Sequence, residues 1–331
     1  MSSISDPKEL DKRLVRYADL IPCTTAFIDT RTPGSKQKEN FTIIGPGVAE
    51  NPNQHVHITE PHGFNIGGAR QPPGCVNSQH SHNTVEVFIV HSGTWAFRTG
   101  ETATDGEVIL RAGDIISIPT NCFRGFENIG EGEGFLFAVL GGDDAGHVLW
   151  APDVFRQAEQ YGLKLLESGR LIDTSVGETV PDDEQPQVSP TPEMLERLDQ
   201  FDSSQLKSRV VSRKVFDALG FVEFSEGVRA LSLIGDSVTD IGVDLPNGEL
   251  SGEHGFNVLF FHLQSGSAGS SGVRHNPEVV FVQKGEINIR VDGVEISMGA
   301  GDVFTVPVGS ERSYSNQSDS EAEIYLVLGK S

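Results

Sequence analysis

His80, Ser81 and His82, followed at position 86 by Glu86, bring two imidazoles and a carboxylate onto one short stretch of chain. Imidazole nitrogen and carboxylate oxygen are ligands for divalent first-row metals, and at this spacing the three side chains can converge on one ion. Glycines bracket the set as Gly74-x5-His80-x-His82-x3-Glu86-x6-Gly93 and mark the turns that bring a strand back across a small barrel. Phe88 and Val90 share the strand face of Glu86, while Phe126 shares that of Arg124 and Asn128. Such a face can wall an apolar pocket with a few polar groups, suited to a small aromatic or enolic ligand, or simply form a barrel core.

Other histidines and cysteines have weaker claims. His55 and His57 form a second His-x-His pair that can offer a fourth ligand or pack at the surface, the more frequent outcome. His91 follows Glu86 by an odd number of residues and is expected on the opposite side of the strand. Cys23, Cys75 and Cys122 have no paired spacing, so they support neither a disulfide framework nor a zinc knuckle, and Cys75 and Cys122, close in sequence to the candidate site, read as core thiols.

The elements that must position the triad are legible from an internal repeat. His62-Gly63-Phe64-Asn65-Ile66 recurs as His254-Gly255-Phe256-Asn257-Val258, an offset of 192 residues that also carries Gly74 to Gly266, Glu86 to Glu278 and Gly93 to Gly285. Gly113-Asp114 and Pro119 recur as Gly301-Asp302 and Pro307 at an offset of 188, because a hairpin is four residues shorter in the second copy. Each copy reads as short apolar or alternating runs bounded by Gly, Asp, Pro or Asn, such as Val85 to Val90, Ile115 to Ile118 and Leu136 to Leu140. Many short strands at this spacing imply a sandwich or barrel. Between the copies, Asp153 to Leu166 is helical in character, Thr191-Pro192 opens a short helix through Leu198, and Ser175 to Pro190 is acidic and proline-containing, as an exposed linker would be. The expected domains are a first barrel over 1–150, a helical and acidic linker over 151–205, and a second barrel over 206–331.

The 331 residues suffice for two such cores, and the formal charge of −22 disfavours nucleic acid and anionic lipid as partners. With a polar start and no long apolar run, a cytoplasmic protein that works on a small molecule is expected, and a homo-oligomer is allowed.

With these residues in view, the chain resembles the cupin superfamily, and within it the bicupins, which hold two such barrels in one polypeptide. Gly74, His80, His82, Glu86 and Gly93 match the first family motif in full. The second motif is matched by Gly113, Pro119 and Asn128, with Asn121 at its second glycine and Arg124 at its histidine, so the usual fourth ligand is replaced. The resemblance implies an all-β fold with minor helices, two tandem double-stranded β-helix (jelly-roll) barrels, and a site inside the barrel. In the second copy Gly272 and Arg274 stand at the positions of His80 and His82, His275 lies out of register, and Arg312 again replaces the histidine, so no metal is expected there.

Residues kept in both copies serve the module, and residues unique to the first serve what it does alone. By that test His62 and His254 are structural and His80 and His82 serve the first copy alone; together with Glu86, which both copies keep, they are the expected metal ligands. The pairs Glu86 with Arg124 and Glu278 with Arg312 have two readings: an internal ion pair in place of metal, or, in the first copy, an arginine that orients an anionic substrate with its planar donor fork. The leading expectation is an Fe(II) dioxygenase acting on a small aromatic or enolic acid with Arg124 as the catalytic residue, similar in architecture to ring-cleaving bicupins such as gentisate dioxygenase. Isomerase, lyase or decarboxylase chemistry on Mn, Ni or Zn uses the same ligands, and a non-catalytic ligand-binding bicupin is the third reading.

Overall fold

The computed structural model describes residues 6–250, 252 and 254–330. The first copy forms two facing sheets. One runs in the order Val210–Val211, Ile115–Ile118, Glu86–Ser92, Gly134–Gly141, Phe64–Gln71, Glu39–Ile44 and Val56–Ile58. The other runs Leu149–Trp150, Val76–Ser81, Arg124–Asn128, Thr94–Thr99 and Gly106–Arg111. The second copy repeats the plan. Its larger sheet is Leu14–Val15, Val303–Val306, Glu278–Lys284, Ala322–Gly329, Phe256–Leu263, Val228–Ile234 and Val222–Ser225, and its smaller one is Gly272–Val273, Glu311–Ser315, Glu286–Val291 and Val294–Gly299. The fold is thus mainly β, with two barrels in tandem.

Gly93 shows why a motif glycine is needed. Its φ is +91°, and a Cβ there would lie 2.8 Å from Gly134 Cα, so any side chain would force the hairpin off the neighbouring strand.

Two short strands cross the expected domain limits, and they do so reciprocally. Val210–Val211, just ahead of the second barrel, pairs with Ile116 and Ile115 of the first. Leu14–Val15, just ahead of the first barrel, pairs with Phe304 and Val303 of the second. The anchors match as well: Arg213 N donates to Asp114 Oδ1 at 2.8 Å and Tyr17 N to Asp302 Oδ1 at 2.9 Å. Each barrel therefore has an otherwise open sheet edge closed by the arm that leads into the other.

A shared apolar layer joins the barrels, in which Phe137 stacks on Phe281 at 4.3 Å and Phe64 meets its repeat partner Phe256 at 6.0 Å. His91 faces this layer, against Tyr17, Phe135 and Phe281. The helix expected over Asp153 to Leu166 is shorter than its sequence suggests. It spans Pro152–Gln160, because Gly162 takes φ +76° and the following Leu163–Leu165 becomes a strand paired with Leu171–Asp173. Pro192–Leu195 is helical, capped by Thr191. Among the described residues no helix is long and apolar enough to cross a membrane.

Candidate metal centre

His80 and Ser81 end the Val76–Ser81 strand, the chain turns through His82, and Glu86 begins the next strand of the facing sheet. That turn brings the three side chains together at one end of the first barrel. Their ligand atoms all lie within 4.8 Å of one another, and all three residues are buried. Two ligands on one ion at about 2.1 Å are at most about 4.2 Å apart, so a small inward side-chain rotation completes the set.

The hydrogen-bond inventory shows which atoms are reserved. His80 Nδ1 lies 2.7 Å from the Ser78 carbonyl, which fixes the proton on Nδ1 and leaves the Nε2 lone pair free, the usual arrangement for a metal-binding histidine. His82 is 2% exposed, and neither of its ring nitrogens has a hydrogen-bond partner. A buried imidazole with both nitrogens unpaired is costly unless something outside the protein takes one of them. Burial, and then the neighbouring Arg124 charge, hold both histidines well below the ordinary imidazole range, so they are neutral and able to ligate. Burial raises the Glu86 carboxyl, and Arg124 pulls it back down.

Arg124 is fully enclosed. Its Nη2 donates to Glu86 Oε2 at 2.8 Å and its Nη1 to the His80 carbonyl at 3.1 Å, while Nε has no partner. Of the two roles open to it, the pairing with Glu86 is formed, and the guanidinium is not part of the cavity wall. Glu86 keeps Oε1 without a donor among the described residues. In the second barrel Glu278 has none to spare: Arg312 Nε and Nη2 approach both of its oxygens at 2.9–3.1 Å, and the Tyr314 hydroxyl donates to Oε1. Tyr314 is the repeat counterpart of Phe126, so the second barrel adds a hydroxyl donor that the first lacks, beside an arginine that reaches both carboxylate oxygens instead of one. Arg274, at the His82 position, is tied to the Pro277 and Gly329 carbonyls and to Asp240, and His275 points to solvent.

Behind His80 lies a buried polar cluster that sequence reasoning missed. The Trp150 ring packs on His80 at 5.1 Å, and its Nε1 donates to Glu50 Oε1 at 2.6 Å. Glu50 also accepts from Ile28 N at 2.6 Å; burial nevertheless pushes its carboxyl up to about 8. Lys38, wholly buried, pairs with Asp29 and donates to Asn77 Oδ1 at 2.9 Å, and Asp29 Oδ2 in turn accepts from Ser78 N at 3.1 Å. Lys38 and Asp29 thereby hold Ser78, the residue whose carbonyl orients His80. Asp29, Lys38 and Glu50 precede the repeated His-Gly-Phe-Asn block and Trp150 follows the last repeated strand, so the motif comparison between the copies had no signal for them.

The triad opens into a cavity with Phe88, Phe126 and Trp150 among its walls. Its size has a local cause. Gly67, Ala69 and Ala138 line it, and at the repeat offsets the second barrel carries Leu259, Phe261 and Leu326, all fully buried. The register agrees, since Gly67 pairs with Ala138 and Leu259 with Leu326. Three small residues leave the first barrel hollow where three large ones fill the second.

His55 and His57 stay outside the cluster. Their rings pack edge-on at 4.5 Å, and His57 Nε2 accepts from Ile21 N at 3.2 Å. His62 is bound to the Glu60 carbonyl at 2.6 Å and His254 to Ser117 at 2.8 Å, contacts that brace the repeated block. The three cysteines are free thiols, and burial raises Cys122 to about 11.

Residues 69–140 and 259–328 each match the family model of the cupin domain. No curated protein matches the chain. Solved structures with the same fold include Lactobacillus farciminis oxalate decarboxylase in a formate complex, at 12% identity and TM-score 0.58 over 100% of this chain and 88% of that one. A mutant of Bacillus subtilis oxalate decarboxylase aligns at 13% identity and TM-score 0.57 over 100% and 78%. Salicylate 1,2-dioxygenase from Pseudaminobacter salicylatoxidans aligns at 14% and 0.53 over 90% and 78%. At such identities the likeness speaks for the fold alone.

Proposed function

This chain carries two cupin domains, and from that premise we propose that the first is a metal-dependent enzyme site, an Fe(II) dioxygenase for a small aromatic or enolic organic acid. The observation that carries the reading is the open donor set: an unpaired His82 ring, a free His80 Nε2 and a free Glu86 Oε1 converge in one barrel. Two histidines and a carboxylate form the ligand set of non-haem iron oxygenases, and the same atoms suit Mn, Ni or Zn. Bound Fe(II) supplies a template for substrate and dioxygen and polarises the substrate oxygen.

The chain's own residues do the rest. Ser78 holds the His80 proton on the nitrogen that faces away from the ion. Arg124 takes one oxygen of Glu86 and so turns the other inward, a positioning role rather than direct contact with substrate. Because Glu86 and Arg124 cancel in charge, a divalent ion between two neutral histidines keeps its positive charge, and an anionic group is the complement it attracts. No lysine or arginine lines the cavity, so the acid group is expected at the metal. The apolar wall excludes water around it and favours a ring over a two-carbon diacid such as oxalate.

The test loads purified protein with Fe(II) under anaerobic conditions and follows oxygen uptake with a panel of hydroxylated aromatic acids, alongside formate release from oxalate under Mn(II). Oxygen uptake that disappears in His80→Ala is expected. Oxalate turnover without oxygen uptake would replace the reading by decarboxylation, and inertness in both assays would leave ligand binding without catalysis.

A further inference from the structure

The wall of the cavity far from the triad carries two amides with nothing to bind. Asn40 is 8% exposed, its Nδ2 is buried without a partner, and no hydrogen bond of its side chain is formed within the protein. Gln54 Oε1 is likewise buried and unpaired. Both residues line the cavity. The parallel pairing of Thr42 with Val56 and Ile44 with Ile58 runs on toward Asn40 and Gln54, which places the two residues side by side on one edge of the sheet.

Their distance from the triad follows from register. Asn40 pairs with Ala69, Ala69 with Leu136, and Leu136 with Val90, whereas Glu86 pairs with Leu140. Asn40 therefore stands on the level of Val90, four residues or about 13 Å along the strand direction from Glu86, and three strands across the sheet from it.

Resting on the reading that an organic acid binds at the triad, we propose that the substrate carries a hydroxyl group at the end opposite its acid group, and that Asn40 and Gln54 recognise it. One amide offers an unpaired donor and the other an unpaired acceptor, and a hydroxyl is the small neutral group that both accepts and donates. A second carboxylate is disfavoured, because no cation lines the cavity. Asn40 and Gln54 are thus specificity-determining residues, and buried amides left unpaired reject the analogue that lacks the hydroxyl.

The experiment is calorimetric titration of the metal-loaded full chain with 4-hydroxybenzoate and with benzoate. Wild type is expected to bind the hydroxylated acid about tenfold more tightly, the scale of one buried hydrogen-bonding group. Asn40→Leu and Gln54→Leu should each narrow that ratio toward one, with weaker binding of the hydroxylated acid and tighter binding of benzoate, while metal content holds, and His80→Ala should weaken both acids alike. Equal affinities in wild type, or a preference that survives both substitutions, overturn the proposal and leave the metal-site reading standing. If neither acid binds a protein that retains its metal, the proposal and the aromatic-acid reading both fall.

Discussion

Arg124 and Glu86 meet through a single hydrogen bond of 2.8 Å, Nη2 to Oε2, whereas the same pair in the second barrel, Arg312 and Glu278, is joined by three. A carboxylate bound through one oxygen leaves the other open to a further partner, and one bound through both is closed to it.

That difference sets the expected metal content. Elemental analysis of protein purified without chelators should approach one ion per chain, and His80→Ala or His82→Ala should remove most of it with an unchanged circular dichroism spectrum, since each barrel keeps its own core. Two tightly held ions per chain would contradict the closed state of Glu278.

The arginines should differ in what they stabilise. Arg312→Ala strands a buried carboxylate and is expected to cost about 3–5 kcal/mol. Arg124→Ala should cost clearly less in metal-loaded protein, where the ion can compensate Glu86, and approach the Arg312 loss once a chelator strips the metal. Thermal melts of both variants with and without chelator read this directly; equal losses in all four samples would mean that no ion compensates Glu86.

Refilling the cavity with the residue the second barrel uses should silence the site without touching a ligand. Ala69→Phe copies Phe261, and overpacking is expected to cost about 1–3 kcal/mol. Metal content should hold while affinity for aromatic acids drops by more than tenfold. Unaltered binding would place the substrate elsewhere.

In metal-free protein, stability should fall as the solution is acidified below about 6.5. His80 and His82 are depressed well below 6.5 by burial and by Arg124, so the folded state resists a proton that the unfolded chain takes up at that pH. Their contribution is complete above 6.5 and is lost as pH drops toward the depressed values. Urea midpoints at pH 7.5 and 5.5 should differ more in wild type than in the His80→Ala/His82→Ala double variant, with Glu86 common to both; identical slopes would argue against buried neutral histidines.

Much of this was legible in the chain before any coordinates. The repeat at offsets of 192 and 188 revealed two modules, and the loss of both histidines from the second copy pointed to one candidate metal site. Those features are local: turn glycines, short apolar runs and ligand types close together in sequence carry their meaning without knowledge of distant partners. Tertiary structure decided what depends on residues far apart. It exchanged Leu14–Val15 and Val210–Val211 between the barrels, brought Lys38, Asp29, Glu50 and Trp150 behind His80, and turned Arg124 onto Glu86. It also showed that Gly67, Ala69 and Ala138 face one space and together leave it hollow. A single small residue says nothing about a cavity, because volume is set by what several strands place opposite one another, and that register is formed only when the barrel closes.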